Sequence, residues 1–345
     1  MSTESILTNN LDRKAELEHR RHLANIIKII GEARILLLQG MLSQEEFNNI
    51  SNKCGYRALT NESAKKYIDN TRYFRYRLID LYSRIAKTYK NYRTGYIYFD
   101  KVEDDFEPEM VEFFKFINCY DLFHEIEDRG MILGVKNTKL CYCIDAGKLS
   151  YIVLTDPYDN QLKTPPVTIA HEMGHAFTYN TLANARKDTF AKNIENEIFS
   201  ILFERMFFDF LLENGKSNPV VVKMMIRNLE TLLLAITKRC KYVLDLIDTP
   251  DYDPRIEGLS LKYIQDNIVK SEDISKQNYA IGNIASAKLF TEYKKDREYF
   301  IRHLKDLVKR THNMSFEEVI TEYSDIPALE QHLDLTLTKR QKRSI

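Results

Sequence analysis

Residues 164–180 read TPPVTIAHEMGHAFTYN, and the fold turns on how this stretch is read. Within it, His171-Glu172-Met173-Gly174-His175 sets two histidines four residues apart. On an α-helix that spacing puts both imidazoles on one face, about one turn from each other. Both can then reach one Zn²⁺, while the glutamate beside the first can hold the water that the metal activates. Thr164 reads as an N-cap and Pro165 as the first helical residue, where a missing N–H costs nothing. The helix is predicted to run to about Asn184. Ala170, Met173, Gly174 and Phe177 form an apolar stripe beside the histidine face, so one side packs while the other looks into a cavity.

Two histidines leave a catalytic zinc site short of a ligand. Twenty-two residues past His175 a second apolar helix carries Glu197 and Glu204, seven apart and so on one face. Their neighbours are Ile198, Phe199, Ile201, Leu202, Phe203, Met206, Phe207 and Phe208. Carboxylates on so apolar a helix are expensive to bury unless paired or bound to a metal. Two histidines and a glutamate, with one position left for water, form a catalytic zinc set.

Composition narrows the alternatives. The chain has 345 residues, which allows one large domain or two lobes. Its 50 basic and 50 acidic residues cancel, so neither nucleic acid nor an anionic membrane is expected as the main partner. The basic residues 339–343 read as a solvated end. Five cysteines scattered through a long chain point to reduced thiols and a cytoplasmic setting. Cys141 and Cys143, one residue apart, have the wrong spacing for a zinc knuckle and read as strand residues. Residues 1–10 lack the pattern of a secretory leader, and no run of 18 uncharged apolar residues marks a membrane span.

Taken in order, residues 11–40, 44–53, 61–88 and 108–127 read as helices. His19, His22 and His124 lie on them and read as solvated or structural, as do Arg72, Arg75, Arg77 and Arg84. Residues 139–144 and 149–155 are rich in Tyr, Cys, Ile and Val and flank Asp145-Ala146-Gly147-Lys148, a hairpin signal. That small ribbon leads straight into the histidine helix. An exposed strand edge there could bind an extended peptide by backbone hydrogen bonds, with Tyr151 and Val153 as its contact residues; a purely structural hairpin is the equal alternative. Residues 220–246, 262–269, 279–293, 294–311 and 314–323 complete a helical second half. His303, His312 and His332 read as solvated. A division near residue 130, between an N-terminal helical lobe (1–130) and a catalytic region (131–345), is expected.

At residue level the chain resembles the oligoendopeptidase F and thimet oligopeptidase family of zinc peptidases. The likeness lies in His171-Glu172-Met173-Gly174-His175-Ala176, followed by Glu197-x-x-Ser200-x-x-x-Glu204, and in Tyr279-Ala280-x-Gly282. It extends over roughly residues 121–335 and is most specific at 164–210. The resemblance implies a mainly α, zincin-like catalytic domain with a small β-hairpin or sheet before the histidine helix, in a two-lobed molecule with a central cleft. It implies Glu197 as third zinc ligand, Glu204 as support for a ligand histidine, and Tyr279, opening its helix, as a donor to the transition state. Strand 149–155 falls where the family has its substrate-pairing edge. Thr178 stands where the family usually carries a further histidine. No histidine occurs between 176 and 302, and Ser275 and Gln277 stand where further tyrosines are usual.

The expectation is therefore a zinc endopeptidase for oligopeptides, with one Zn²⁺ per chain held by His171, His175 and Glu197. Glu172 is its general base, with Tyr279 assisting. The alternative is a degenerate zincin that binds peptides without hydrolysing them.

Overall fold

The computed structural model describes residues 3–54, 107–135, 141–155, 166–183, 193–215, 271–314 and 316–323. The predicted helices at 61–88, 220–246 and 262–269, and the basic end, lie outside them. Among the described residues the protein is mainly helical with one small sheet. In order, the elements are α1 (Thr3–Leu38), α2 (Gln44–Lys53), α3 (Glu107–Phe116), α4 (Tyr120–Asp128), β1 (Ile132–Val135), β2 (Tyr142–Ala146) and β3 (Leu149–Thr155). Then come α5 (Pro166–Leu182), α6 (Asn193–Glu213), α7 (Ser271–Lys295), α8 (Arg297–Asn313) and α9 (Phe316–Tyr323).

Local chemistry explains several boundaries. Ser43 caps α2 through a reciprocal capping box with Glu46, which satisfies two N-terminal donors at once. The helix expected at 108–127 is instead two. Asn118 takes a left-handed conformation, φ 56°, and the Cys119 N–H bonds back to the Phe114 carbonyl at 2.8 Å. This closes α3 in the manner of a Schellman turn, and asparagine tolerates the left-handed position better than most residues. Helix α7 begins at Ser271, so Tyr279 lies inside it and does not open it. Nothing between 272 and 281 breaks a helix, which is why the helix starts upstream of the Tyr-Ala-x-Gly run.

The sheet has three strands in the order β1-β3-β2. The hairpin expected from the sequence is β2–β3, paired antiparallel with Ile144 opposite Tyr151. Its loop is only Gly147-Lys148. Gly147 adopts φ 91°, which only glycine takes without strain, and its N–H donates to the Asp145 side chain at 3.0 Å. Strand β1 pairs parallel to β3, with Leu133 opposite Val153. The sequence reading missed β1, because four apolar residues carry no periodicity.

Period-two alternation sorts the sheet residues by face. Tyr142, Ile144, Tyr151, Val153, Leu133 and Val135 share one face and pack with Ile35 and Leu38 of α1. Cys143, Ser150 and Ile152 lie on the other face. Helix α5 packs on strands β2 and β3. Asn180 ties its last full turn to the hairpin loop by donating to the Lys148 carbonyl at 2.7 Å.

The chain divides into two compact units. The first comprises 1–58, 106–204 and 301–312; the second comprises 59–105, 205–300 and 313–345. In the first, Phe113 of α3, Phe177 of α5 and Phe203 of α6 form an aromatic core. Phe203 meets the other two at centroid distances of 6.4 and 5.4 Å. In the second, Arg205 is buried and donates to Ser286 Oγ at 3.0 Å and to the Asn283 carbonyl at 3.3 Å. Lys294 and Arg297 also pair with Asp209 and Glu213 of α6.

Candidate metal centre

Helix α5 carries His171, Glu172 and His175, and α6 carries Glu197 and Glu204; all five belong to the first unit. The two imidazoles meet with their Nε2 atoms 3.2 Å apart. Glu197 Oε2 lies 3.9 Å from His171 Nε2. Ligand atoms of His171, His175 and Glu197 all fall within 4.8 Å of one another. Donors about 2.0–2.1 Å from a tetrahedral Zn²⁺ sit roughly 3.3 Å apart, so this set is close to a zinc-ligating arrangement.

The outer contacts favour the same reading. His171 Nδ1 is hydrogen-bonded to the Glu204 carboxylate. With its Nδ1–H donated there, the imidazole presents an Nε2 lone pair toward His175 and Glu197. Glu204 is thus the partner of a ligand-type histidine, while Glu197 faces the imidazole edges. Buried Oε2 atoms of both Glu172 and Glu197 have no hydrogen-bond partner, and neither does His175 Nδ1. Buried carboxylate oxygens without partners are costly, and a cation with its water would satisfy them. On donor type, spacing and these orphaned oxygens, the residues fit a Zn²⁺ ion.

Burial and the neighbouring carboxylates together set the electrostatics of this group. Glu172 is 3% exposed, and burial pushes its carboxyl up to about 7, helped by Glu197 and Glu204 and opposed by His171. Burial pulls His171 down, but Glu204, Glu172 and Glu197 outweigh it and lift the imidazole to about 9. Burial, with His171 beside it, holds His175 well below the usual histidine range. Burial also raises Glu197.

The sheet reaches this group through its backbone. The Glu172 carboxylate accepts the Cys143 N–H of β2. Opposite Cys143, the Ile152 N–H turns the other way and donates to the Met131 carbonyl at 2.9 Å. Cys143 and Ile152 are therefore a non-hydrogen-bonded pair, and the Cys143 backbone faces outward at the β2 edge. This corrects the expected substrate edge. Strand β3 is central, with both edges taken by β1 and β2. Val153 is fully buried, and Tyr151 lies beside it on the face packed against α1. Neither stands at a strand edge beside the histidines. The sequence could show strands but not their order, which depends on the parallel β1.

Cys143 lies in β2 with Cys141 just before it, both as free thiols. Burial holds the Cys143 thiol well above its usual range, which makes it a poor nucleophile. His19, His22, His124 and His303 are exposed. Thr178 is buried and donates to the Gly174 carbonyl at 2.9 Å. Tyr279 belongs to the second unit, and its side chain lies outside the described residues. The Cys143 N–H was missed by sequence reading, since a backbone donor leaves no mark on residue type.

No protein-family model matches the sequence, and no curated protein matches it. Solved structures do. A crystal structure of a Bacillus anthracis protein assigned as an oligoendopeptidase F superposes with a TM-score of 0.51 at 14% identity. It matches 100% of this chain and 76% of that one. A 3.1 Å X-ray structure of a protein likewise assigned as oligoendopeptidase F gives 0.51 at 13% identity, matching 100% and 77%. The chain thus shares its overall fold with these two oligoendopeptidase F structures.

Proposed function

We propose that this protein is a zinc-dependent endopeptidase acting on oligopeptides, with one Zn²⁺ per chain. The observation that carries the reading is the convergence of His171, His175 and Glu197, with an unpartnered carboxylate oxygen of the buried Glu172 in the same group. His171 Nε2, His175 Nε2 and a Glu197 oxygen would hold the ion. A bound zinc supplies Lewis acidity toward the scissile carbonyl and makes a nearby water more acidic. Glu172 takes the proton from that water and delivers it to the departing amine, so peptide and water become a carboxylic acid and an amine. Glu204 holds the His171 ring in one orientation and tautomer. Tyr279 is proposed as a donor to the developing oxyanion, on the strength of the sequence resemblance. The fold shared with oligoendopeptidase F structures supports the same substrate class, and the catalytic region is taken as residues 131–345.

A non-hydrolytic peptide binder is the second reading. It is favoured by Thr178 and by the lack of any histidine between 176 and 302. Quenched fluorescent peptides, incubated with and without a chelator, separate the two. Chelator-sensitive cleavage restored by zinc is expected; peptide binding without cleavage would establish the second reading.

A further inference from the structure

Glycine is the least favourable residue after proline in a helix interior, yet Gly174 sits in the middle of α5. A Cβ at this position would lie 2.5 Å from Ser200 Cα, 2.9 Å from the Phe199 carbonyl oxygen and 3.0 Å from the Ser200 nitrogen. All three are backbone atoms of α6, so the helices touch backbone to backbone at this point. Ordinary contact begins at 3.4 Å. A methyl group here would therefore part the two helices by about 1 Å.

The contact lies among the ligands. Gly174 follows His171 by three residues and immediately precedes His175. Ser200 follows Glu197 by three and precedes Glu204 by four. Spacings of three and four share a helix face, so Glu197 and Glu204 flank the contact, one turn to either side. The Ser200 hydroxyl turns back to the Glu197 carbonyl of its own helix at 3.2 Å.

We propose that Gly174 is a positioning residue of the metal centre. It sets the α5–α6 separation at which Glu197 reaches the cation shared by His171 and His175, and at which Glu204 reaches His171 Nδ1. The inference rests on the zinc reading above. The requirement is geometric: a ligand displaced by about 1 Å no longer completes a tetrahedral set, whose bond lengths hold to about 0.2 Å.

The test measures zinc affinity of the full chain by competition with a chromophoric chelator, with far-UV circular dichroism reporting the fold. Wild type comes first: without stoichiometric zinc binding the metal reading fails, and this inference with it. Given binding, Gly174→Ala is expected to keep its helical signal and lose about tenfold or more in zinc affinity. In that background, Glu197→Ala should cost less than about threefold further, although it weakens zinc strongly in wild type. A general loosening of the core would not produce that coupling. Affinity within about threefold of wild type in Gly174→Ala, or an undiminished cost of Glu197→Ala in its background, overturns the proposal. A second variant does not depend on whether Gly174→Ala folds. Glu197→Asp shortens the reach by one methylene and should lose as much affinity as Glu197→Ala if the helix separation is fixed. Near-wild-type affinity in Glu197→Asp would show that the helices close up freely, and the proposal fails.

Discussion

At the scale of the residue, three glutamates with different surroundings meet the two imidazoles, and the proposed function gives each a different role. Glu172 is almost fully buried, its carboxyl lifted by burial to about 7, and it holds only one backbone donor from β2. Glu197 faces the imidazole edges, and Glu204 takes the far nitrogen of His171. Each role gives a different expected defect. Glu172→Gln keeps the shape and removes the base, so zinc stoichiometry should hold while kcat falls by about 10²–10⁴. Turnover near the wild-type rate would take Glu172 out of the mechanism. Glu204→Ala leaves the ligands but frees the His171 ring, so zinc affinity should drop by about 10–100-fold. An equal or larger drop than in Glu197→Ala would instead make Glu204 the direct ligand. The sequence showed that Glu197 and Glu204 share a face. Which of them points at which imidazole nitrogen follows from where α6 crosses α5.

At the scale of the element, the sheet is where local pattern and outcome part. The alternation in 139–155 indicates two strands and a tight glycine loop, and both are present. The order of strands is not local information: β1 joins in parallel from upstream and takes the free side of β3. A strand that looked like an edge is therefore the middle of the sheet. Tyr151→Ala should accordingly lower the melting temperature, through lost packing against the cluster of Ile35, Ile144 and Val153, and leave KM unchanged. A KM rise with unaltered stability would return Tyr151 to the substrate site. In the second unit, Glu213 of α6 is held below its ordinary value of 4.5, first by its hydrogen bond from Arg297 and then by the charges of Arg297 and Lys294. Its native carboxyl therefore titrates below the unfolded one. The stabilisation is complete above the ordinary value and disappears as pH falls through the lowered one. Glu213→Gln should lower the melting temperature slightly at pH 7, with the gap closing in acid. A gap that persists in strong acid would mean that the variant acts through packing.

At the scale of the whole molecule, zinc binding as proposed would be linked to folding, because the candidate ligands converge only in the folded chain. Zinc at a hundred times its dissociation constant should stabilise the native state by about 2.7 kcal/mol, read as a chelator-reversible rise in melting temperature. A melting temperature indifferent to zinc would contradict a site of this geometry. Among the described residues no helix is long and apolar enough to cross a membrane. The fold is held in common with oligoendopeptidase F structures at 13–14% identity, a level at which architecture outlasts sequence.

The sequence alone places the candidate ligands of α5 relative to one another. His171, Glu172 and His175 lie on one turn of one helix, and helical spacing alone fixes their relation. It also determined that carboxylates on the apolar α6 need partners. How these pieces meet is set by the tertiary fold: the backbone contact of Gly174 with Ser200, the pairing of Glu204 with His171, and the outer place of β2 in the sheet. Those are contacts between segments far apart in the chain. Helix crossing and strand order arise from packing that no short window of residues contains.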